Sequence, residues 1–166
     1  GLLERVEKIF QSMSRFYRHS LADDPTSDVA LKDEIDLQRL YLDIEAVRFP
    51  ERLICEFDLP PELQDARVPG MILQPLIENS VKYAVSPGNR AVTIRVSVRE
   101  EFDRLVITVS DDGPGVPEGV NHGFGIGLAN VRDRLEARFG SDIVLSSGPL
   151  ATGYSTEMRI PLTNNG

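Results

Sequence analysis

The stretch Leu105-Val106-Ile107-Thr108-Val109-Ser110-Asp111-Asp112-Gly113-Pro114-Gly115 reads as a strand that runs out into a carboxylate and two spaced glycines. The aliphatic and β-branched run from Leu105 to Ser110 sets the strand. Asp111 at its end can accept a hydrogen bond from an amine, while Gly113 and Gly115 let the backbone turn tightly around a flat ring. Asp-Gly is also an ordinary turn dipeptide, so this segment alone does not separate a binding site from a polar turn. Its surroundings decide the matter.

Downstream, a glycine-rich loop is expected from Gly113 to Gly127, ending in Gly123-Phe124-Gly125-Ile126-Gly127-Leu128 and running into a helix over Ala129 to Phe139. A glycine loop that enters a helix N-terminus offers free N–H groups and the positive end of a dipole to phosphates. A Rossmann fingerprint needs a strand immediately before its glycines, and a long loop stands there instead. The Walker lysine with Ser or Thr is also missing. Between Gly119 and Gly127 only Val120, Phe124 and Ile126 could anchor the loop, which predicts a mobile lid.

Upstream lies Leu73-Gln74-Pro75-Leu76-Ile77-Glu78-Asn79-Ser80-Val81-Lys82-Tyr83, part of a helix expected over Met71 to Ala84 with Pro75 in its first turn. On a helix Asn79, Lys82 and Tyr83 share one face, while Leu76, Ile77, Ser80 and Ala84 can turn to the core. An amide oxygen can enter the shell of Mg²⁺ and a lysine can neutralise phosphate, although the same residues also suit a plain solvated face.

The remaining chain frames these segments. Leu3, Val6, Phe10, Met13 and Tyr17 mark a helix from Leu2 to Leu21, and Asp23 to Asp28 form a polar break. A second helix is expected from Leu31 to Phe49, with Leu37, Leu40, Tyr41, Ile44 and Val47 on one face, stopped by Pro50. Residues 52–58 alternate like a strand closed by Pro60-Pro61. Ala91 to Arg99 and Leu105 to Ser110 form a hairpin through residues 100–103, and strands follow at residues 143–146 and 154–160. The order predicts an α+β fold, a mixed, mostly antiparallel sheet with helices on one face, preceded by N-terminal helices. Residues 1–50 then form a helical segment and 51–162 a compact domain.

Composition narrows the partners. With 41% hydrophobic and 27% charged residues in a chain of 166, the protein has the make-up of a water-soluble domain. The apolar runs are too short to span a bilayer, and Arg5, Glu7 and Lys8 rule out a signal peptide in these residues, so a cytoplasmic fragment without membrane contact is expected. A net charge of −8 disfavours nucleic acid but not a nucleotide, whose phosphates can be held locally. Cys55, the one cysteine, alternates with Leu53 and Phe57 and is expected in the core.

Taken together, the asparagine helix, the strand-end Asp-x-Gly-x-Gly and the Gly-x-Gly-x-Gly-Leu run closely resemble the histidine-kinase branch of the Bergerat-fold ATPases. More narrowly, residues 73–79 and 125–135, with Tyr41 to Glu45 and Arg48-Phe49, resemble the LytS-type sensor histidine kinases. That resemblance implies a two-layer α/β sandwich of the Bergerat type and ATP with Mg²⁺ as ligands. Carried over by position, Asn79 coordinates Mg²⁺ and Glu78 lies near the ion or the attacking group. Lys82, with Tyr83 beside it, contacts phosphate. Asp111 accepts the adenine amine, and Gly113 and Gly115 make room for the ring. Gly123, Gly125 and Gly127 form the lid, with Gly127 and Leu128 at the helix start.

Pro75 stands where many such kinases have a further asparagine, which leaves Gln74 or Glu78 for a second metal contact. His19 and His122 lack the context of a phosphoryl acceptor, so the family reaction, phosphoryl transfer to histidine, needs an acceptor outside this chain. The resemblance further implies a parent protein, cytoplasmic here even if anchored in a membrane elsewhere, that dimerises through the N-terminal helices and signals to a response regulator. A stand-alone serine kinase of the same fold, acting by partner switching, and a non-catalytic nucleotide-binding module are the alternatives.

Overall fold

A computed structural model describes residues 28–114 and 121–164, the backbone alone at 121–126, together with residues 1, 2, 4–6, 8, 9 and 12. Leu3, Phe10, Met13, Tyr17, His19 and Gly115 lie outside the described residues, as does the side chain of His122.

In chain order the elements are β1 (Asp28–Ala30), α1 (Leu31–Arg48), β2 (Leu53–Asp58), β3 (Arg67–Pro69), α2 (Gln74–Ser80, prolonged by a wider turn at Val81–Val85), β4 (Val92–Glu101), β5 (Arg104–Asp111), α3 (Asn121–Phe139), β6 (Val144–Pro149) and β7 (Tyr154–Pro161). Five strands form one sheet in the order β2-β4-β5-β7-β6, and β1 and β3 make a separate two-stranded ribbon. The β2–β4 pair is parallel and every other pair antiparallel, so the expected α+β fold with a mixed sheet is what forms.

Period-two alternation builds the sheet. Val92, Ile94, Val96 and Val98 of β4 and Met158 and Ile160 of β7 point to one face. There they pack with Ile35 and Leu42 of α1, Leu76 and Ile77 of α2, and Val131 and Leu135 of α3. The opposite face carries charge: Arg99 pairs with Glu101 at 3.0 Å and Glu157 at 3.1 Å, and Arg159 reaches Glu101 at 3.1 Å. The hairpin between β4 and β5 closes through Phe102 and Asp103, whose φ angles of 54° and 62° fit the paired left-handed residues of a tight, right-twisting turn.

Three expectations are corrected. Cys55 is exposed, because β2 is an edge strand and only its neighbours Leu53 and Phe57 are partly covered. α1 does not bury a single stripe: Leu31, Ile35 and Leu42 join the main core, while Leu37 and Ile44 pack with Val6 and Ile9 on another side, leaving Val47 exposed. α2 begins at Gln74 rather than Met71, because Met71 adopts a left-handed φ of 64°.

Candidate functional site

The sequence segments singled out above converge on α2. Asp111, at the end of β5, is 8% exposed, and its Oδ1 accepts the Gly113 amide at 3.1 Å. The Ser80 hydroxyl and the Tyr154 amide also donate to this carboxylate. Burial pushes the Asp111 carboxyl above its ordinary range, and those donors pull in the opposite direction. Ser80 was expected to face the core; it does so, and from there it orients Asp111.

Glycine is required where the backbone comes closest. A Cβ on Gly113 would sit 2.5 Å from the Ala84 Cβ, so the turn after β5 lies directly on α2. Gly153, with φ at 99°, brings the start of β7 so near β5 that a Cβ would fall 1.8 Å from the Asp111 carbonyl oxygen. Sequence reasoning missed Gly153. Its only signal is a lone glycine ahead of a strand, which says nothing of what lies beneath it.

A Cβ on Gly127 would lie 3.3 Å from Nδ2 of Asn79, so α3 rests its glycine on the asparagine amide. That Nδ2 is buried with no hydrogen-bond partner among the described residues. The start of α3 differs from the expectation. The helix begins at Asn121, not near Gly127 and Leu128, so Gly123, Gly125 and Gly127 lie within its first two turns. Each glycine weakens a helix by about 1 kcal/mol relative to alanine, so this beginning is intrinsically soft.

Glu78 and Lys82 turn elsewhere. They line a cleft of about 270 Å³ with Tyr41, Glu45 and Arg48 of α1, with Phe49 just after it, and with Val81 and Ser86, and neither Asn79 nor Asp111 borders it. Glu78 Oε1 accepts a 3.0 Å hydrogen bond from Gln74 Nε2. Tyr83 is buried, with the Lys82 ammonium 5.2 Å from its ring centre. The shared face expected for Asn79, Lys82 and Tyr83 is broken by the wide turn, in which the Ser86 amide bonds to the Val81 carbonyl at 2.9 Å, five residues back.

The fold and this constellation define a nucleotide-binding ATPase class. The family described as histidine kinase-, DNA gyrase B-, and HSP90-like ATPase matches residues 64–164, and the chain belongs to it. A second family, described as histidine kinase, matches residues 3–53. The chain is similar to the sensor histidine kinase YesM of Bacillus subtilis, 34% identical over 82% of the chain and 24% of that protein. It is equally similar to the sensor histidine kinase BtsS of Escherichia coli, 34% identical over 95% of the chain and 28% of that protein. The chain thus spans about a quarter of the length of the curated relatives it matches. Among solved structures, the histidine kinase domain of the Erythrobacter litoralis blue-light activated histidine kinase aligns with a TM-score of 0.59 at 20% identity, covering 98% of this chain and 75% of that one. The catalytic domain of histidine kinase ThkA aligns at 0.60 and 17%, covering 81% and 94%, and these two likenesses concern the fold. None of the helices among the described residues is long and apolar enough to cross a membrane.

Proposed function

We propose that this chain is the ATP-binding catalytic part of a two-component sensor histidine kinase and supports transfer of the γ-phosphoryl group to a histidine outside it. The observation that carries the reading is the convergence of Asp111, Gly113 and Gly127 on the one helix that bears Asn79. Asp111 is the adenine receptor, its carboxylate accepting the exocyclic amine, with Gly113 and Gly115 leaving room for the ring. Asn79 is the inner-end contact. Its unpartnered Nδ2–H groups suit a phosphate oxygen, and its Oδ1 suits Mg²⁺.

The donor set fits such an ion. Asn79 offers a single neutral oxygen, which suits an ion whose shell is completed by phosphates and water. Held by Asn79, Mg²⁺ would supply neutralisation of the phosphate charge. The work left to the protein is to orient the nucleotide and cover it. We assign the covering to the soft start of α3 with Gly123, Gly125, Gly127 and Leu128, a helix end whose first-turn amides favour anions.

Glu78, Lys82 and Tyr83 remain proposed contacts of a different kind. The cleft shared by Glu78 and Lys82 with α1 supports a place on the side from which an acceptor-bearing helix approaches, with Gln74 orienting Glu78. Residues 1–50 are the helical segment and 51–162 the nucleotide-binding unit. In the parent protein, the former pairs with a second copy and the product is passed to a response regulator in the cytoplasm. Calorimetric titration of ATP with Mg²⁺ into this chain and into Asp111→Asn tests the reading. Saturable binding that the substitution removes is expected, and a folded chain that binds no nucleotide would overturn it.

A further inference from the structure

Glu34 belongs to the stretch matched by the second family, yet its carboxylate lies 1% exposed against residues of the ATPase family. Its Oε1 accepts the Met71 amide at 2.9 Å and its Oε2 the Leu73 amide at 3.4 Å, with the Ile72 amide also donating. These three amides form the approach to α2, which has no side-chain cap of its own at Leu73. Met71 holds a left-handed φ of 64°, a conformation an unbranched non-glycine residue keeps only when its surroundings enforce it. Glu34 ties the amide of the strained residue and the two amides that follow it to α1.

The third member of the junction comes from α3. Arg134 donates to the Gly70 carbonyl, immediately before the strained residue, and its charge faces Glu34. Arg134 lies seven positions after Gly127 on one continuous helix, and Gly127 rests on Asn79. Asn79 in turn lies on the helix that begins beside Glu34. The carboxylate therefore fixes both bodies whose contact defines the inner end of the site, from a third element that does not touch it.

We infer that Glu34 is a positioning residue through which the helical segment sets Asn79 against Gly127, and thereby the grip on the nucleotide phosphates. The inference rests on the proposed nucleotide site. Its consequence is graded: the phosphate end should feel the loss of Glu34 most, and the adenine end, held by Asp111 and Gly113 at the end of β5, should feel it less.

Titration of the whole chain with Mg²⁺–ATP and, separately, with adenosine tests this. Glu34→Ala should weaken Mg²⁺–ATP binding about tenfold, the usual scale for an outer support of a metal or phosphate ligand. Adenosine binding should change less than about twofold, and Glu34→Gln, which keeps an accepting oxygen, should recover most of the loss. Should Glu34→Ala not fold, Glu34→Gln alone still decides: a loss of about threefold confined to Mg²⁺–ATP supports the assignment. Equal losses for both ligands, or no loss for either, would overturn it while leaving the nucleotide site intact. An unmodified chain that binds neither ligand would overturn this inference together with the reading beneath it.

Discussion

Glu34 and Asp111 are both buried carboxylates fed by backbone amides, and they differ in what surrounds the rest of each group. Glu34 is enclosed by protein: amides of the 71–73 segment on one side and the Arg134 guanidinium on the other, with 1% of the residue exposed. Asp111 has donors from Gly113, Ser80 and Tyr154, is 8% exposed, and faces the like charge of Asp112 in place of a guanidinium. On the proposed reading the first is a strut and the second a receptor. Burial alone does not distinguish them; the residue types around the unused lone pairs do.

The comparison can be broken most forcefully at Gly153. Alanine there would need a φ near 99° and would push a methyl group into the Asp111 carbonyl. A loss of about 4 kcal/mol in urea-induced unfolding is expected, together with loss of nucleotide binding, since the receptor's own strand end must move. At the strut, Glu34→Ala leaves three amides without their acceptor and should cost about 3 kcal/mol in the same unfolding experiment. Asp111→Asn should reverse that profile. Nucleotide affinity falls about a hundredfold by calorimetry, while the unfolding midpoint changes little, because one buried amide replaces one buried carboxyl.

The two carboxyls can also be separated by pH. Burial pushes the Glu34 carboxyl up to about 7 from an ordinary 4.5, against the amides and Arg134. The folded chain therefore keeps a proton that the unfolded chain has released, and stability falls as pH rises from about 4.5 to about 7, then levels. Unfolding free energies across that range should show the slope in the native chain and lose Glu34's part of it in Glu34→Gln. The smallest effect is expected at Arg138, which pairs with Asp28 through bonds of 2.7–3.0 Å but stays partly in water. Arg138→Ala should cost under about 1 kcal/mol by thermal unfolding.

Much of this architecture was legible in the sequence because it rests on local period. The β4–β5 hairpin and β7 declare themselves through alternation that one buried face enforces, and α1 ends where Pro50 requires. The recognition motifs were legible as wording, since Asp111, Gly113, Asn79 and Gly127 lie in short fixed patterns. What escaped depends on contacts distant in sequence. The β1–β3 ribbon has strands of three residues, too short to carry a pattern. Glu34 looks like any solvated acid on a helix until the 70–73 segment closes over it. Glycine content argued for a loop before Gly127, and the helix nevertheless reaches back to Asn121. The wide turn at Val81–Val85 redirected Lys82, because a single extra residue in a turn rotates everything after it.

The parallel pairing of β2 with β4 carries one more consequence. Parallel neighbours cannot be joined by a tight hairpin, so the chain between them must travel back along the sheet, and α2 is part of that return path. The helix thus lies in the chain between β3 of the ribbon and β4 of the sheet. Its two joints are the kinked approach at Met71 on one side and the loosened turn before Ser86 on the other. A pull on Asn79 is delivered to those joints, and the joint at Met71 is the one that Glu34 clamps.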